Sequence, residues 1–362
     1  METPPGETPL PQLAAELVRI DSRSSVSNIA VAERIEAELA GFDVERLDYT
    51  DAAGVPKRAL VARKGGPGGI ALSGHMDTVP ATGWTDDPWS GRIAEGVLHG
   101  LGAVDMKGAV AACIVAARRA RRATLLITTD EETTKLGARI IAETSILARG
   151  LEGIVVAEPT GLAPVRGHRS SVHFVATARG VQAHSSTGQG VNANWAMIGF
   201  LAEMRAIHER LRSEPALQNP AYDPPFSDFN LVVDNHGTAV NVTVAEATCR
   251  IKFRRTAGMD SASIVRAVRD AAHRAGMELR EDAEGEPPEL PADHPLVRRA
   301  TAATGRPAQV VPYGTDASEL QGIAPCVVLG PGGIGTAHTP RECVRLADLE
   351  AAIPLFLKML DS

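Results

Sequence analysis

The sequence predicts an α/β fold in which a mostly parallel sheet is covered by helices and a smaller α+β domain is inserted into the chain. Short apolar runs typical of buried strands alternate with helical patterns up to about residue 160, as expected for a parallel sheet. The order then becomes strand–helix–strand–strand–helix–strand, which is typical of a ferredoxin-type sandwich. We therefore expect residues 1–170 and 287–362 to form one domain and residues 171–286 to form the inserted one.

Each element of the first part rests on the spacing of its apolar residues. The predicted helices are 9–20, 28–39, 108–119 and 137–148, and the predicted strands are 59–63, 70–74, 124–129 and 153–157. The glycine-rich run at 65–69 lacks the Gly-Lys-Ser/Thr ending of a phosphate-binding loop, so it predicts a turn.

The inserted segment and the last part follow by the same criteria. The predicted strands are 171–178, 229–233, 245–253 and one beginning at 277–280, with helices at 191–211 and 261–275. A Glu/Pro-rich stretch at 284–291 predicts a linker. Helices at 295–304 and 347–360 and a strand at 324–329 then resume the α/β pattern.

Composition excludes several classes of protein. The 362 residues carry a net charge of −7 and no long Lys/Arg run, which argues against a nucleic-acid partner. The four cysteines lie far apart without a C-x-x-C pair, so neither a zinc knuckle nor a disulfide scaffold is indicated. The N-terminal residues show no signal-peptide pattern, and no apolar run is long enough to span a membrane. We expect a soluble, cytoplasmic protein.

The stretch from Ser73 to Pro80 continues a predicted buried strand into a polar turn. His75 and Asp77 are two residues apart, so in an extended chain they point to the same side. That arrangement suits a metal-ligand histidine whose other ring nitrogen is held by a carboxylate. A surface histidine and aspartate in a loop would explain this stretch equally well.

The other candidate ligands also follow predicted strands or precede the next helix. They are Asp105, Glu131 or Glu132, and Glu158, together with His338 in a glycine-rich loop. In an open α/β sheet, ligands bind beyond the carboxyl ends of the strands. Carboxylates gathered there repel one another unless a cation lies among them. Two imidazoles and three carboxylates suit two zinc-like ions bridged by one carboxylate.

Taken singly, these motifs have simpler explanations. Glu158 precedes Pro159 and suits a turn, and Glu131-Glu132 suits an exposed helix start. The glycines at 100 and 102 lack the third glycine of a dinucleotide-binding motif. His184-Ser185-Ser186 lacks the G-x-S-x-G pattern of a nucleophilic serine. Only the joint placement favours a metal site.

In their order, the motifs resemble those of the dinuclear zinc aminoacylases, the relatives of acetylornithine deacetylase, succinyl-diaminopimelate desuccinylase and glutamate carboxypeptidase. The motifs are Ser73–Pro80, Gly100–Gly108, Thr129–Glu132, Ala157–Thr160, Ala183–Ser186 and Gly330–His338. The stretch Gly314–Ala317 resembles a further loop of the family near its site. The resemblance spans nearly the whole chain.

The resemblance implies a zinc-exopeptidase-like catalytic domain with an inserted dimerisation or lid domain. It implies that His75, Asp105 and Glu158 hold one metal ion. The second ion would be held by Asp105, Glu132 and His338, with Asp105 bridging the two ions. The metal would be zinc, with cobalt as the alternative, and the bond between Asp105 and Met106 would be cis. Asp77 would orient His75.

The resemblance also implies the catalytic and substrate-binding residues. Glu131 would act as the general base. His184 would stabilise the oxyanion, in its own subunit or in the partner of a homodimer. Asn241 and Arg254 match positions that contact the substrate, the arginine through a substrate carboxylate.

The implied activity is the deacylation of an N-acyl amino acid, of the kind used in amino-acid biosynthesis. A dipeptidase or carboxypeptidase acting on a short peptide is the alternative, and a catalytically silent ligand-binding relative is a third. Residues 167–171 and Val242-Thr243 depart from the common family pattern. These departures leave the acyl group and the amino acid open.

Overall fold

The computed structural model describes residues 7–361. Their contacts divide the chain into two compact units. The first comprises the chain up to Gly167, Pro288–Val310 and the chain from Thr315 onward; the second comprises His168–Pro287 and Val311–Gly314.

The elements are numbered along the described chain. The strands are β1 (Asp43–Thr50), β2 (Pro56–Lys64), β3 (Ile70–His75), β4 (Arg92–Ala94), β5 (Val97–His99), β6 (Ala123–Thr128), β7 (Gly153–Val156), β8 (Val165–His168), β9 (Ser170–Arg179), β10 (Asp228–Asp234), β11 (Glu246–Arg255), β12 (Glu278–Ala283), β13 (Gln309–Val311), β14 (Cys326–Val328) and β15 (Cys343–Arg345). The α-helices are α1 (Leu10–Val18), α2 (Ile29–Glu36), α3 (Gly108–Arg119), α4 (Leu136–Thr144), α5 (Asn194–Ser213), α6 (Ser261–Arg274), α7 (Pro295–Thr304), α8 (Ala317–Leu320) and α9 (Leu346–Leu360).

The first unit is built on an eight-stranded sheet in the order β1-β2-β6-β3-β7-β14-β8-β13. The four central strands, β6, β3, β7 and β14, run parallel to one another, while β1, β2 and β8 pair in antiparallel fashion beside them. Every residue of the four parallel strands is buried. This explains their continuous apolar sequences, because both faces of a parallel sheet are covered. The predicted α/β class is confirmed.

The register of the parallel strands decides which residues meet at the sheet edge. His75 lies beside Thr128, and Ser73 lies beside Val156. The residues that follow β3, β6 and β7 therefore leave the sheet at the same edge. Beneath them, α3 is buried from Gly108 to Ala117 and contacts α1 and α9. Its small alanine side chains allow these close helix contacts.

The second unit is a four-stranded antiparallel sheet in the order β10-β11-β9-β12, with α5 and α6 contributing to its core. This is the ferredoxin-type order that the sequence predicts. Its core includes Phe174, Phe200 and Phe253. Strand β10 lies at the edge of the sheet, and Val232 and Val233 on it are exposed.

The two stretches of the first unit that flank residues 168–287 lie side by side. Gly167 forms a β-bridge with Glu289, and the N–H of Leu290 donates to the carbonyl of Arg166 at 2.8 Å. The side chains of Arg166 and Glu289 form an ion pair at 2.9 Å. A Cβ atom at position 167 would lie only 2.8 Å from Cγ of Glu289, so this close approach requires glycine.

The sequence does not predict several strands, of which β1 is the longest. Residues 43–50 alternate between partly buried and exposed side chains and include four charged residues, so no apolar run marks the strand. Strands β4, β5, β13 and β15 have only three residues each. Among residues 7–361, no helix is long and apolar enough to cross a membrane.

Candidate metal centre

Three parallel strands deliver candidate ligands to one edge of the sheet. His75 is the last residue of β3, Glu131 and Glu132 follow β6, and Glu158 follows β7. His75 and Glu158 are almost completely buried. Their convergence follows from the parallel register, as expected for ligands beyond the carboxyl ends of the strands.

Asp105 lies between two imidazoles. Its Oδ1 is 3.2 Å from Nε2 of His75, and its Oδ2 is 3.2 Å from Nε2 of His338. The carboxylate thus presents one oxygen to each histidine. The peptide bond between Asp105 and Met106 is cis, as the family resemblance implies.

The remaining carboxylates complete two overlapping groups. Nε2 of His338 is 3.0 Å from Oε1 of Glu132, and Nε2 of His75 is 3.8 Å from Oε1 of Glu158. Donor atoms of His75, Asp105 and Glu132 lie within 4.8 Å of one another, as do those of His75, Glu131 and Glu158. Imidazole nitrogens and carboxylate oxygens are the donors that zinc and similar divalent ions take. The residues therefore fit a metal centre.

Asp77 is fully buried beneath these ligands. Its carboxylate accepts hydrogen bonds from the Ser24 hydroxyl at 2.7 Å and from the backbone N–H groups of Glu131 and Glu132 at 3.2 and 3.3 Å. The Nδ1–H of His75 donates to the backbone carbonyl of Asp77 at 3.0 Å, whereas the carboxylate oxygen Oδ1 lies 3.5 Å away. The carbonyl is therefore the nearer acceptor. A proton on Nδ1 leaves Nε2 of the neutral ring as the ligand atom.

Glu131 and Glu132 have different neighbours although they are adjacent in sequence. Oε1 of Glu131 lies 3.4 Å from the ammonium of Lys135, while Glu132 faces His338. Lys135 also donates to the carbonyl of Thr315 at 3.0 Å. Burial raises the pKa of Glu131, and the charge of Lys135 opposes that rise.

The shifts in pKa within this cluster show that its carboxylates and imidazoles influence one another. Burial raises the pKa of Glu132 to about 7, and burial with the neighbouring Asp105 charge raises the pKa of Glu158. Burial alone would raise the pKa of Asp105, but hydrogen bonds from His338 and His75 lower it. The hydrogen bonds to Asp105 and Glu132 raise the pKa of His338 to about 10. Positive charge is therefore favoured among these carboxylates, and a divalent cation would supply it.

Three buried charged residues around the site have no role in the sequence-based interpretation. Oε1 of Glu342 accepts from the N–H groups of Val104 and Asp105, each at 3.1 Å, and so supports the loop that carries Asp105.

Lys107 is the second of these residues, and it donates to the carbonyls of Leu17 and Ile20 at 3.2 and 2.7 Å. Burial lowers the pKa of Lys107 to about 8.

Asp316 is the third of these residues. Its Oδ2 accepts from the hydroxyl of Thr128 at 2.5 Å. Burial and the charge of Glu131 raise the pKa of Asp316 to about 8. The only signal in the sequence is the resemblance of the stretch Gly314–Ala317 to a family loop. Lys107 lies within the motif Gly100–Gly108, whereas Glu342 lies outside all of the motifs that resemble the family.

The remaining predicted site residues belong to the second unit. His184 and Asn241 are exposed and close together, because His184 forms a β-bridge with Val242 and the N–H of Ser185 donates to the Asn241 carbonyl at 3.0 Å. The N–H of Ser186 donates to Nδ1 of His184, which leaves the proton of the neutral ring on Nε2.

Arg254 lies on β11 of the same unit. One nitrogen of its guanidinium pairs with Asp228 at 2.6 Å. The Arg254 side chain remains 36% exposed.

Solved structures share the fold along the whole chain. An M20-family metallo-carboxypeptidase from Sulfolobus solfataricus is 16% identical and aligns with a TM-score of 0.74 over 96% of this chain and 97% of its own. The aminopeptidase PepT from Bacillus cereus is 20% identical and aligns with a TM-score of 0.71 over 97% of each chain. At these identities the likeness establishes the fold.

The fold and the donor set define a metal-dependent hydrolase of amide or peptide bonds. The chain belongs to Peptidase family M20/M25/M40, whose model matches residues 71–362. It is 32% identical over 361 residues to the acetylornithine deacetylase of Proteus mirabilis, covering 94% of this chain and 92% of that protein. It is 33% identical to the acetylornithine deacetylase of Yersinia pseudotuberculosis, covering 82% and 79%. The family resemblance recognised from the motifs is confirmed.

Proposed function

We propose that this chain is a dinuclear metal-dependent deacylase that hydrolyses the amide bond of an N-acyl amino acid. The observation that carries the proposal is the Asp105 carboxylate, which presents one oxygen to His75 and the other to His338. A carboxylate in this position is suited to bridge two cations. The similarity to proteins named acetylornithine deacetylase favours an acylated amino acid as the substrate.

The ligands divide into two sets that share Asp105. His75 and Glu158 would complete one site, and Glu132 and His338 the other. Zinc suits this set of nitrogen and oxygen donors, with cobalt as the alternative. Divalent ions held there supply a Lewis acid for the amide carbonyl and lower the pKa of water.

Glu131 is the proposed general base. It accepts a proton from the attacking water and gives it to the leaving amine. Its burial supports this role, because burial raises the pKa of the carboxyl toward the operating pH. Asp77 holds His75 through its backbone carbonyl and holds the N–H groups of Glu131 and Glu132 through its carboxylate.

The second unit supplies the proposed substrate contacts. His184 can donate from Nε2 to a developing oxyanion, because its Nδ1 accepts from the backbone of Ser186. Arg254 would pair with the substrate carboxylate, since a guanidinium has five donors and the contact with Asp228 uses one nitrogen. Asn241 would contact the substrate next to His184.

We further propose that residues 1–170 and 287–362 form the catalytic domain and that residues 171–286 form a dimerisation or lid domain. The exposed Val232 and Val233 on the edge strand β10 support a homodimer through this sheet edge. A cytoplasmic location is also part of the proposal. It is supported by the four cysteines, all within the described residues, which form no disulfide.

A substrate comparison tests the proposed activity. The purified protein, loaded with zinc or cobalt, is assayed with N-acetyl amino acids, N-succinyl amino acids and dipeptides. We expect the highest kcat/KM on an N-acyl amino acid and loss of activity on chelation. A higher kcat/KM on dipeptides would replace the deacylase with a peptidase. Ligand binding without metal or turnover would indicate a catalytically silent relative.

A further inference from the structure

Lys57, on strand β2, carries a buried ammonium that the proposed reaction does not use. Its side chain has no solvent exposure. The ammonium donates to the carbonyls of Ser24 and Val26 at 2.6 and 2.9 Å and lies 3.0 Å from Oδ1 of Asp130. These contacts link the segment before α2 to the segment after β6.

Asp130 immediately precedes Glu131 and Glu132, and its own conformation needs support. Its φ is +64°, a left-handed conformation that is uncommon for residues other than glycine. Its Oδ2 accepts from the Tyr49 hydroxyl at 2.7 Å, and its carbonyl accepts from the N–H of Lys135 at 2.7 Å. Lys57 and Tyr49 therefore hold the two carboxylate oxygens of the residue that begins this turn.

Ser24, whose carbonyl accepts from Lys57, also contacts a residue of the metal centre. The hydroxyl of Ser24 donates to Asp77 at 2.7 Å, and its N–H donates to the carbonyl of Thr78 at 3.0 Å. The same Asp77 carboxylate accepts from the N–H groups of Glu131 and Glu132. The two segments joined by Lys57 thus hold Asp77 between them.

We propose that Lys57 is a positioning residue for the metal centre, with Tyr49 as its partner. The ammonium joins Ser24 to Asp130. It thereby sets the distance between the Ser24 hydroxyl and the N–H groups of Glu131 and Glu132, which all donate to the Asp77 carboxylate. It thereby fixes His75, which bonds the Asp77 carbonyl, and the backbone of Glu131 and Glu132. The reaction served is the proposed hydrolysis, so the inference rests on the proposed function.

The test compares Lys57→Met and Tyr49→Phe with a matched control, Lys64→Met. Methionine replaces the unbranched aliphatic part of the side chain but has no ammonium group, and therefore no charge and no donor. Lys64 lies on the same strand and donates to the backbone carbonyl of Arg118, so its replacement also removes a partly buried hydrogen bond of a lysine to a carbonyl. Zinc is titrated into each apo-protein by calorimetry, and kcat, KM and Tm are measured on the loaded protein.

We expect Lys57→Met to weaken zinc binding at one or both sites by about tenfold or more, as for other groups that orient metal ligands. We also expect kcat per folded, loaded molecule to fall by about tenfold or more, with KM changed by less than about threefold. Tyr49→Phe should cause smaller losses in the same two quantities. Lys64→Met should change Tm alone.

A purely structural role predicts a different result. If Lys57→Met and Tyr49→Phe lowered Tm but kept wild-type zinc affinity and kcat, the proposal would be overturned. If Lys57→Met did not fold, Tyr49→Phe would decide the question by the same criterion. Wild-type protein that hydrolysed no amide would disprove the proposed function. The comparison of zinc affinities would still test the positioning role.

Discussion

The ammonium of Lys135 lies 3.4 Å from the carboxylate of Glu131, four residues earlier in the chain. Lys135 has a left-handed φ of +55° and directly precedes α4. The neighbouring Glu132 faces His338 at 3.0 Å. The two adjacent glutamates thus have different nearest side-chain partners, an ammonium for Glu131 and an imidazole for Glu132. This difference supports the proposal that the two glutamates have separate roles.

Replacing the two glutamates should separate proton transfer from metal binding. Glu131→Gln keeps the shape of the side chain but cannot accept a proton, so kcat should fall about 100-fold or more while zinc content stays near normal. Glu132→Gln should lower zinc affinity, and excess zinc should partly restore its activity. Zinc content and kcat are measured on both variants. Full turnover by Glu131→Gln, or loss of zinc from it, would disprove the base assignment.

Replacing Lys135 should affect the rate more than metal binding. Lys135→Met removes the cation beside Glu131 and the hydrogen bond to the Thr315 carbonyl. We expect kcat to fall by about tenfold, which corresponds to about 1.4 kcal/mol of activation free energy. Lys358→Met, an exposed change on α9, serves as the control. A variant with unchanged kcat would show that Glu131 needs no neighbouring cation.

Removing the shared carboxylate should disrupt both metal sites. Asp105→Ala leaves His75 and His338 without their common partner, and we expect zinc content to fall well below two ions per chain. Elemental analysis after dialysis measures this. Asp348→Ala, which removes a surface carboxylate paired with Arg345, should keep full metal content. Two retained ions in the Asp105 variant would refute the bridging assignment.

Metal binding should release protons at neutral pH. The pKa of His338 is raised to about 10 by Asp105 and Glu132, so the ring is protonated in the metal-free protein at pH 7. A zinc ion binds only the neutral ring, so at least one proton leaves per chain, and zinc affinity rises with pH up to about 10. Calorimetry in buffers of different ionisation enthalpy counts these protons. Heats that do not depend on the buffer would contradict the expected protonation state.

A charge on the exposed edge strand should prevent association of the proposed dimer. Val232 on β10 is 54% exposed, and Val232→Lys would place a cation at the edge where a second copy would pair. Light scattering should then report a monomer in place of the wild-type dimer. Ile146→Lys is the control, because Ile146 is an equally apolar exposed residue of the first unit. A wild-type protein that is fully active as a monomer would rule out the need for a dimer.

The candidate ligands could be predicted from the sequence because strand ends are local signals. His75, Glu131 and Glu158 each follow an apolar run, and parallel pairing brings such ends together. Strand β1 could not be predicted, because its charged and partly exposed residues at the sheet edge leave no apolar run. The edge position accounts for this, since burial is what makes a strand apolar.

The supporting residues could not be predicted because their partners are remote in sequence. Glu342 bonds the backbone of Asp105 across 237 residues, and Asp316 bonds Thr128 across 188. Lys57 and Asp130 are brought together by the pairing of β2 with β6. The order of residues in the sequence does not show these long-range contacts, because they form only through tertiary packing.

The bridge between Gly167 and Glu289 has an evolutionary consequence, because it brings together the two chain positions that flank residues 168–287. The candidate metal ligands are encoded before or after this segment, whereas His184, Asn241 and Arg254 are encoded inside it. Because the positions that flank residues 168–287 are neighbours, an exchange of this segment in the gene would interrupt the first unit at one place, while Val311–Gly314 of the second unit would remain. Under the proposed roles, recombination in this segment would replace the substrate-contacting residues and leave the encoded metal ligands unchanged.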